Sequence, residues 1–363
     1  MPRPTLYVAI TSHGFGHATR TCAVVAEIQR RLPDLLVILV TQAPYWLLDS
    51  YLEHAFIHRP RAYDIGVIQP DGLTLDQAAT LQQLQAIQQR QNQIIAGEVS
   101  FIQQNEVQLV LADLPPLAAR IAQAAGIPCW MMGNFGWDFI YKPWGPDFAA
   151  VTAWIESCFN QCDRLFRLPF HEPMAAFPQI TDVGLTGGNP KYSVTELRAK
   201  LPLQQPPERT VMLSFGGLGI AELPYENCAQ FPDWQFIQFG SQGPDLPNLL
   251  KLTDRHYRPV DLMPVCGAIV SKPGYGTFAE ACRMGVPIIT VTREHFAEAP
   301  LLLAGLKQIA HHRVITPQDL QQSGWEFLKD PLEAPTDPGA IGHDGNSEIA
   351  QAVVDYYRTH VSP

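Results

Sequence analysis

A histidine that closes a glycine-rich turn and an aspartate that ends a later strand are the residues best placed to do chemistry. The turn is Gly14-Phe15-Gly16-His17, set between an apolar run at 6–10 and a helical pattern over 18–32. Glycines there let the backbone turn tightly and approach a ligand closely. A helix N-terminus behind them favours anions and disfavours imidazolium, so His17 would stay neutral and able to accept a proton near pH 7. The plainer reading is that His17 caps the helix or bonds within the turn. Asp113 follows the apolar run 109–112 and precedes Pro115 and Pro116, which cannot continue a ladder. In a parallel sheet its carboxylate reaches the same rim as the first turn. There it would fix the tautomer of His17 and stabilise the imidazolium formed on proton abstraction. Capping of the next helix is the alternative.

Two further glycine turns lie in the second half. Ser271-Lys272-Pro273-Gly274-Tyr275-Gly276-Thr277 leads from a strand into a helix N-terminus, a suitable cradle for a diphosphate. Thr277 and Glu280 match a capping box, and Glu280 would equally accept hydrogen bonds from ribose hydroxyls. Ser214-Phe215-Gly216-Gly217 ends another strand, with room for a phosphate or simply a tight turn. A dinucleotide fingerprint would need glycine at position 19 and an acidic residue after the second strand. Thr19 and Thr41-Gln42 stand there instead, which disfavours NAD. No acidic pair suggests a metal site, and none is expected.

The elements that must position these residues alternate strand, turn and helix. Strands are expected at 6–10, 35–41, 109–112 and 127–132, then at 210–214, 234–239, 268–271 and 286–291. Helices are expected over 18–32, 118–125 and 347–358, and a Gln-rich, solvated one over 73–105. Aromatics crowd 130–148, chiefly as core. Periodicity fails around 181–192, where Gly and Pro collect, and a second breaker-rich segment covers 330–346. Repeated βα units imply a parallel sheet in each half, with ligands at the strand C-terminal ends.

The 363 residues carry 25 Lys and Arg against 35 Asp and Glu, a net charge of −10, with 46% hydrophobic residues. Such a chain buries a substantial core and is not disordered. Without a basic stripe, nucleic acid is not an expected partner. Seven cysteines without a framework favour a reducing compartment, and Cys158 and Cys162 read as buried thiols. No secretory signal or membrane span is evident, so a cytoplasmic protein is expected, with peripheral membrane contact left open.

Five segments together resemble the glycosyltransferase-like N-terminal region of plant L-arabinokinases. They are Ser12-His13-Gly14-Phe15-Gly16-His17-Ala18-Thr19-Arg20, Asn134-Phe135-Gly136-Trp137-Asp138-Phe139-Ile140-Tyr141, Arg167-Leu168-Pro169, Gly274-Tyr275-Gly276-Thr277 and Glu294-His295-Phe296-Ala297-Glu298. The likeness runs over residues 5–310. More distantly, the chain is similar to plant natural-product glucosyltransferases and the peptidoglycan N-acetylglucosaminyltransferase. The kinase half has no counterpart, so arabinose phosphorylation is not implied.

The resemblance implies an α/β protein of GT-B fold, with two Rossmann-like domains whose parallel sheets face each other across a cleft. Residues 1–185 would form the acceptor-side domain and 193–335 the nucleotide-sugar domain, with a helix at 346–360 packing back on the first. It implies inverting, metal-independent transfer from a nucleotide-diphosphate sugar, expected to be a uridine one, to the hydroxyl of a small-molecule or lipid acceptor, with no cofactor. His17 would be the base and Asp113 its orienting partner. Gly14 and Gly16 let the donor approach, Lys272 and Gly274–Thr277 cradle the diphosphate, and Ser214, Gly216 and Gly217 assist. Glu280 would hold the ribose, while Arg258 and Val260 flank the nucleobase through main-chain contacts. Glu298 would meet sugar hydroxyls, although relatives follow an acidic residue or Gln here with Gln, where this chain has Ala299 and Pro300. A nucleotide-sugar sensor without turnover and a nucleotide-sugar 2-epimerase are the other activities considered.

Overall fold

The computed structural model describes residues 3–69, 75–215, 223–293 and 296–361. They form two compact units, one running to Gly187 and resuming at Gly342, the other formed by Gly188–Ile341.

The first unit opens with β1 (Thr5–Ile10), α1 (Gly16–Arg31), β2 (Leu36–Val40), α2 (Tyr45–Tyr51), β3 (Ile57–Arg59), α3 (Gln77–Gln104) and β4 (Leu109–Asp113). It continues through α4 (Leu117–Ala125), β5 (Cys129–Gly133), α5 (Trp137–Tyr141), α6 (Ala149–Phe159), β6 (Arg164–Arg167) and β7 (Ile180–Asp182). The seven strands lie parallel in the order β3-β2-β1-β4-β5-β6-β7. Every residue of β1 and β4 is buried, as expected of central strands covered by helices on both faces. Strand order reverses between β1 and β4, and their register sets Ile10 opposite Asp113. Helix α3 is capped by Asp76, whose side chain accepts from the Ala79 amide at 2.9 Å, and most of its surface faces solvent. Trp137, Tyr141 and Phe148 are core residues, with Trp137 stacked on Tyr141.

The second unit holds α7 (Val194–Lys200), β8 (Thr210–Ser214), β9 (Gln235–Phe239), β10 (Leu249–Leu252), α8 (Pro259–Leu262) and β11 (Ala268–Ser271). Then come α9 (Tyr275–Met284), β12 (Ile288–Val291), α10 (Glu298–Ile309), β13 (His312–Ile315) and α11 (Pro317–Gln322). Its parallel sheet runs β10-β9-β8-β11-β12-β13, and the order reverses between β8 and β11. Phe236, Val211, Ile289 and Trp325 belong to its core.

The last helix, α12 (Gly345–His360), returns to the first unit and packs along α1. Arg31 of α1 donates to Gln351 at 2.9 Å, and the Tyr357 hydroxyl donates to the Thr5 carbonyl at 2.7 Å. All seven cysteines are buried free thiols. Among the described residues, no helix is long and apolar enough to cross a membrane.

Candidate active site

A doubly wound sheet leaves a crevice at the carboxyl ends of its strands where the strand order reverses. In the first unit that point is the β1/β4 pair, and the His17 turn follows β1 directly. Helix α1 starts at Gly16, two residues earlier than its apolar pattern suggests, so His17 lies in the first turn of the helix. Phe15 occupies the cap position and no side chain caps the helix, which removes the capping reading of His17. Gly14 takes φ +65°, a left-handed conformation that glycine adopts without strain, and a side chain added at Gly14 or Gly16 would meet no atom within 4 Å.

His17 and Asp113 are brought together: Nδ1 of His17 lies 2.8 Å from Oδ1 of Asp113, both groups being buried. Asp113 caps nothing, since α4 has Pro116 at its cap position and no side-chain cap bond. Instead its carboxylate is held from several sides. Arg20 donates through Nε to Oδ2 and through Nη2 to Oδ1, each at 2.7 Å, and the Thr21 hydroxyl donates to Oδ2 at 2.8 Å. The next residue, Leu114, is buried with φ +69°, a strained conformation for leucine at the strand's exit. Burial pushes the Asp113 carboxyl up, but the charges of Arg20 and then His17 outweigh it and hold the group well below the usual carboxylate range.

Arg20 changes the character of this pair. It is 2% exposed, also donates to the Asn134 side chain at 2.8 Å, and sets its Nη2 3.0 Å from Nδ1 of His17. Guanidinium only donates and carboxylate only accepts. A proton on Nδ1 therefore donates to Asp113 and leaves Nε2 a free lone pair, whereas a bare Nδ1 accepts from Arg20 and makes Nε2 a donor. Arg20 and Asn134 both fall in the segments that carry the resemblance, yet residue type alone gives them no role. An arginine three positions after His17 on a helix shares its face, which is the signal that could have singled it out.

In the second unit, Ser214 and Ser271 end β8 and β11 side by side in register, at the other switch point. Helix α9 has Gly274 at its cap position, and the opening amides of its first turn have no intrahelical carbonyl partner. Thr277 and Glu280 do not form a capping box: they stand at the third and sixth helical positions, out of reach of the end they would cap. Glu280 is buried and accepts from the Gly188 amide at 2.9 Å. Lys272 is pushed down to about 8 by burial and by the charge of Arg293. Tyr275 is buried in the first turn of α9, and Glu298 opens α10, buried, with its charge acting on Arg293.

The Arg258–Val260 loop is bound into its own unit. Val260 is a core side chain, and both the amide and the guanidinium of Arg258 donate to Asp261, at 2.9 Å and 2.6 Å. The Arg258 amide is thus already engaged at the place where the resemblance gives the loop main-chain contacts to a nucleobase. Gly216 and Gly217 lie outside the described residues, as do Glu294 and His295.

No family model matches the chain. L-arabinokinase of Arabidopsis thaliana is 32% identical over 307 residues, which is 81% of this chain and 28% of that protein. The chain thus spans little more than a quarter of that relative. The solved structure of the calicheamicin glycosyltransferase CalG4 superposes with a TM-score of 0.66, 18% identity and full coverage of both chains. Phytolacca americana UGT2, complexed with UDP-2fluoro-glucose and pterostilbene, gives 0.61 at 15% identity, over 97% of this chain and 94% of that one. Medicago truncatula UGT71G1, complexed with UDP-glucose, gives 0.58 at 15% identity, over 96% and 93%. The chain is therefore a protein of the GT-B glycosyltransferase fold, similar in sequence over most of its length to a part of L-arabinokinase.

Proposed function

We propose that the protein is an inverting glycosyltransferase that moves a sugar from a nucleotide-diphosphate sugar, a uridine one, to an acceptor hydroxyl. The observation that carries this reading is the His17–Asp113 hydrogen bond at the reversal point of the first sheet. With Nδ1 protonated toward Asp113, Nε2 takes the proton of the acceptor hydroxyl. The oxygen attacks the anomeric carbon, the bond from that carbon to the diphosphate breaks on the opposite face, and the configuration inverts. The amides that open α9, Ser214 and Lys272 would meet the charge developing on the diphosphate, so no metal is invoked. Glu280 would reach the ribose from α9, and Glu298 the sugar. UDP-sugar complexes of proteins with the same fold support a uridine donor.

One observation favours a second reading, a protein that binds a nucleotide sugar without turnover. Arg20 neutralises Asp113 and stands beside Nδ1 of His17, an unusual setting for a base. The experiment is to screen UDP-sugars by thermal shift, then follow release of UDP with and without an acceptor panel. Nucleotide release that needs an acceptor, and falls about 10²-fold or more in His17→Ala at unchanged donor affinity, is the expected result. Donor binding with no release leaves the sensor, and conversion of donor without acceptor leaves the 2-epimerase.

A further inference from the structure

We propose that Arg293 is a second cation of the donor site, the group that grips the phosphate joined to the sugar. The inference deepens the reading of Lys272 and Glu298 as donor-binding residues and rests on it. It starts from the carboxyl rim of the second sheet, where β11 and β12 run side by side with Ser271 opposite Thr290. Lys272 is the residue that follows β11. On the neighbouring strand the Thr292 amide still donates to the Ile315 carbonyl at 2.9 Å, so Arg293 is the first residue to leave the sheet. Adjacent strands lie about 4.8 Å apart, which puts Lys272 and Arg293 on adjoining exits of one rim.

Arg293 is held in place but not neutralised. Its Cζ lies 4.4 Å from the centre of the Phe296 ring, itself a buried side chain. Its Nε and Nη2 are buried without a hydrogen-bond partner. A guanidinium only donates, so acceptor atoms alone can satisfy them. Among the described residues, no carboxylate comes within ion-pair distance of Arg293 or Lys272. Ser271 and Thr290, fully buried toward the ends of their strands, likewise carry hydroxyls without a partner. Buried donors in that condition cost the fold, and two like charges close together in a low dielectric cost it again. Burial and the charge of Arg293 push Lys272 down, and burial does the same to Arg293. A diphosphate brings negative charge and acceptor oxygens to the rim where ligands of such sheets bind, and so answers both costs.

Position assigns the phosphate. Lys272 precedes the opening amides of α9, read for the diphosphate, and Glu298 opens α10, read for the sugar. Arg293 stands between the two in the chain; its charge acts on Lys272, and that of Glu298 acts on it. The phosphate that joins diphosphate to sugar belongs at that point. When the bond from the anomeric carbon to the β-phosphate oxygen breaks, its electron pair goes to that oxygen, and the guanidinium meets the added charge.

The test is calorimetry on the full chain with UDP, UMP and inorganic pyrophosphate, for the wild type and Arg293→Met, together with thermal unfolding in the absence of ligand. Loss of a charge-assisted contact should weaken UDP and pyrophosphate about 10- to 100-fold and leave UMP, which has no β-phosphate, within about twofold. Without ligand the variant should unfold at or above the wild-type midpoint, since methionine replaces an unpaired cation by an apolar chain. Equal loss for UDP and UMP, no loss for either, or a variant that unfolds lower or fails to fold overturns the proposal. Pyrophosphate separates the proposal from the reading beneath it. A wild type that binds pyrophosphate through Arg293 but no uridine nucleotide refutes the uridine donor and leaves Arg293 a diphosphate ligand; a wild type that binds neither overturns both.

Discussion

Replacing Asp113 by asparagine removes one negative charge from a place that solvent does not reach. Four donor contacts converge on its two oxygens: Arg20 Nε and Nη2 at 2.7 Å, and Thr21 and His17 at 2.8 Å. Asparagine keeps one acceptor oxygen and turns an NH₂ toward donors, so the guanidinium of Arg20, itself 2% exposed, loses its counter-ion. Breaking one side of a buried pair costs about 3–5 kcal/mol. The same loss at the exposed Arg30–Glu27 pair would cost far less, because solvent screens both charges. Urea unfolding at pH 7 should therefore place Asp113→Asn about 3–5 kcal/mol below wild type. Arg20→Gln should lose a similar amount, and the double variant much less than the sum. The pH dependence has a definite sign. The folded-state carboxyl sits below its unfolded value of about 3.9, so its contribution is complete above that value and disappears as pH falls through the folded one. Acid unfolding of the wild type should steepen below about pH 4, and Asp113→Asn should lack that component. Strict additivity of the two single losses, or a loss under about 1 kcal/mol for Asp113→Asn, would refute Asp113 as the counter-ion of a buried cation.

Three other outcomes are expected. Lys272 carries charge only below about 8, so UDP affinity measured by calorimetry should weaken as pH rises through that value, whereas Lys272→Met should bind weakly and show no such slope. Glu280→Ala should weaken nucleotide binding; an unchanged affinity would leave the residue a structural one that accepts from the Gly188 amide. Gly66 takes φ +58° against the side chain of His13, so Gly66→Ala should destabilise the first unit by about 1–3 kcal/mol, read as a lower unfolding midpoint. An unshifted midpoint would mean that the contact yields.

The central strands were legible because burial on both faces demands unbroken apolar runs, as β1, β4, β8 and β11 show. Short strands toward the sheet margins were not: β3, Ile-His-Arg over Ile57–Arg59, and β13, His312–Ile315, carry too much polarity to separate from loops. The His17–Asp113 meeting could be anticipated because two neighbouring parallel strands must end on one rim. Arg20 shares the face of His17 by spacing, yet its burial was not legible, since a charged residue on a helix ordinarily faces water and only the buried carboxylate across from it reverses that preference. The supposed capping box failed for a geometric reason. Helix α9 has Gly274 at its cap position, so Thr277 stands inside the helix instead of at its cap, and the Thr-x-x-Glu spacing is out of register with the helix end.

The return of α12 to α1 has a consequence for biosynthesis. A hydroxyl at residue 357 bonds a carbonyl at residue 5, so β1 waits for the 352 residues that separate the two to be made before its flank is closed. The stretch Gly188–Ile341 is continuous and emerges whole, which lets it fold while the earlier unit still lacks its last helix. At about 5–20 residues per second that wait lasts many seconds, during which the unclosed face of α1 is open to chaperones.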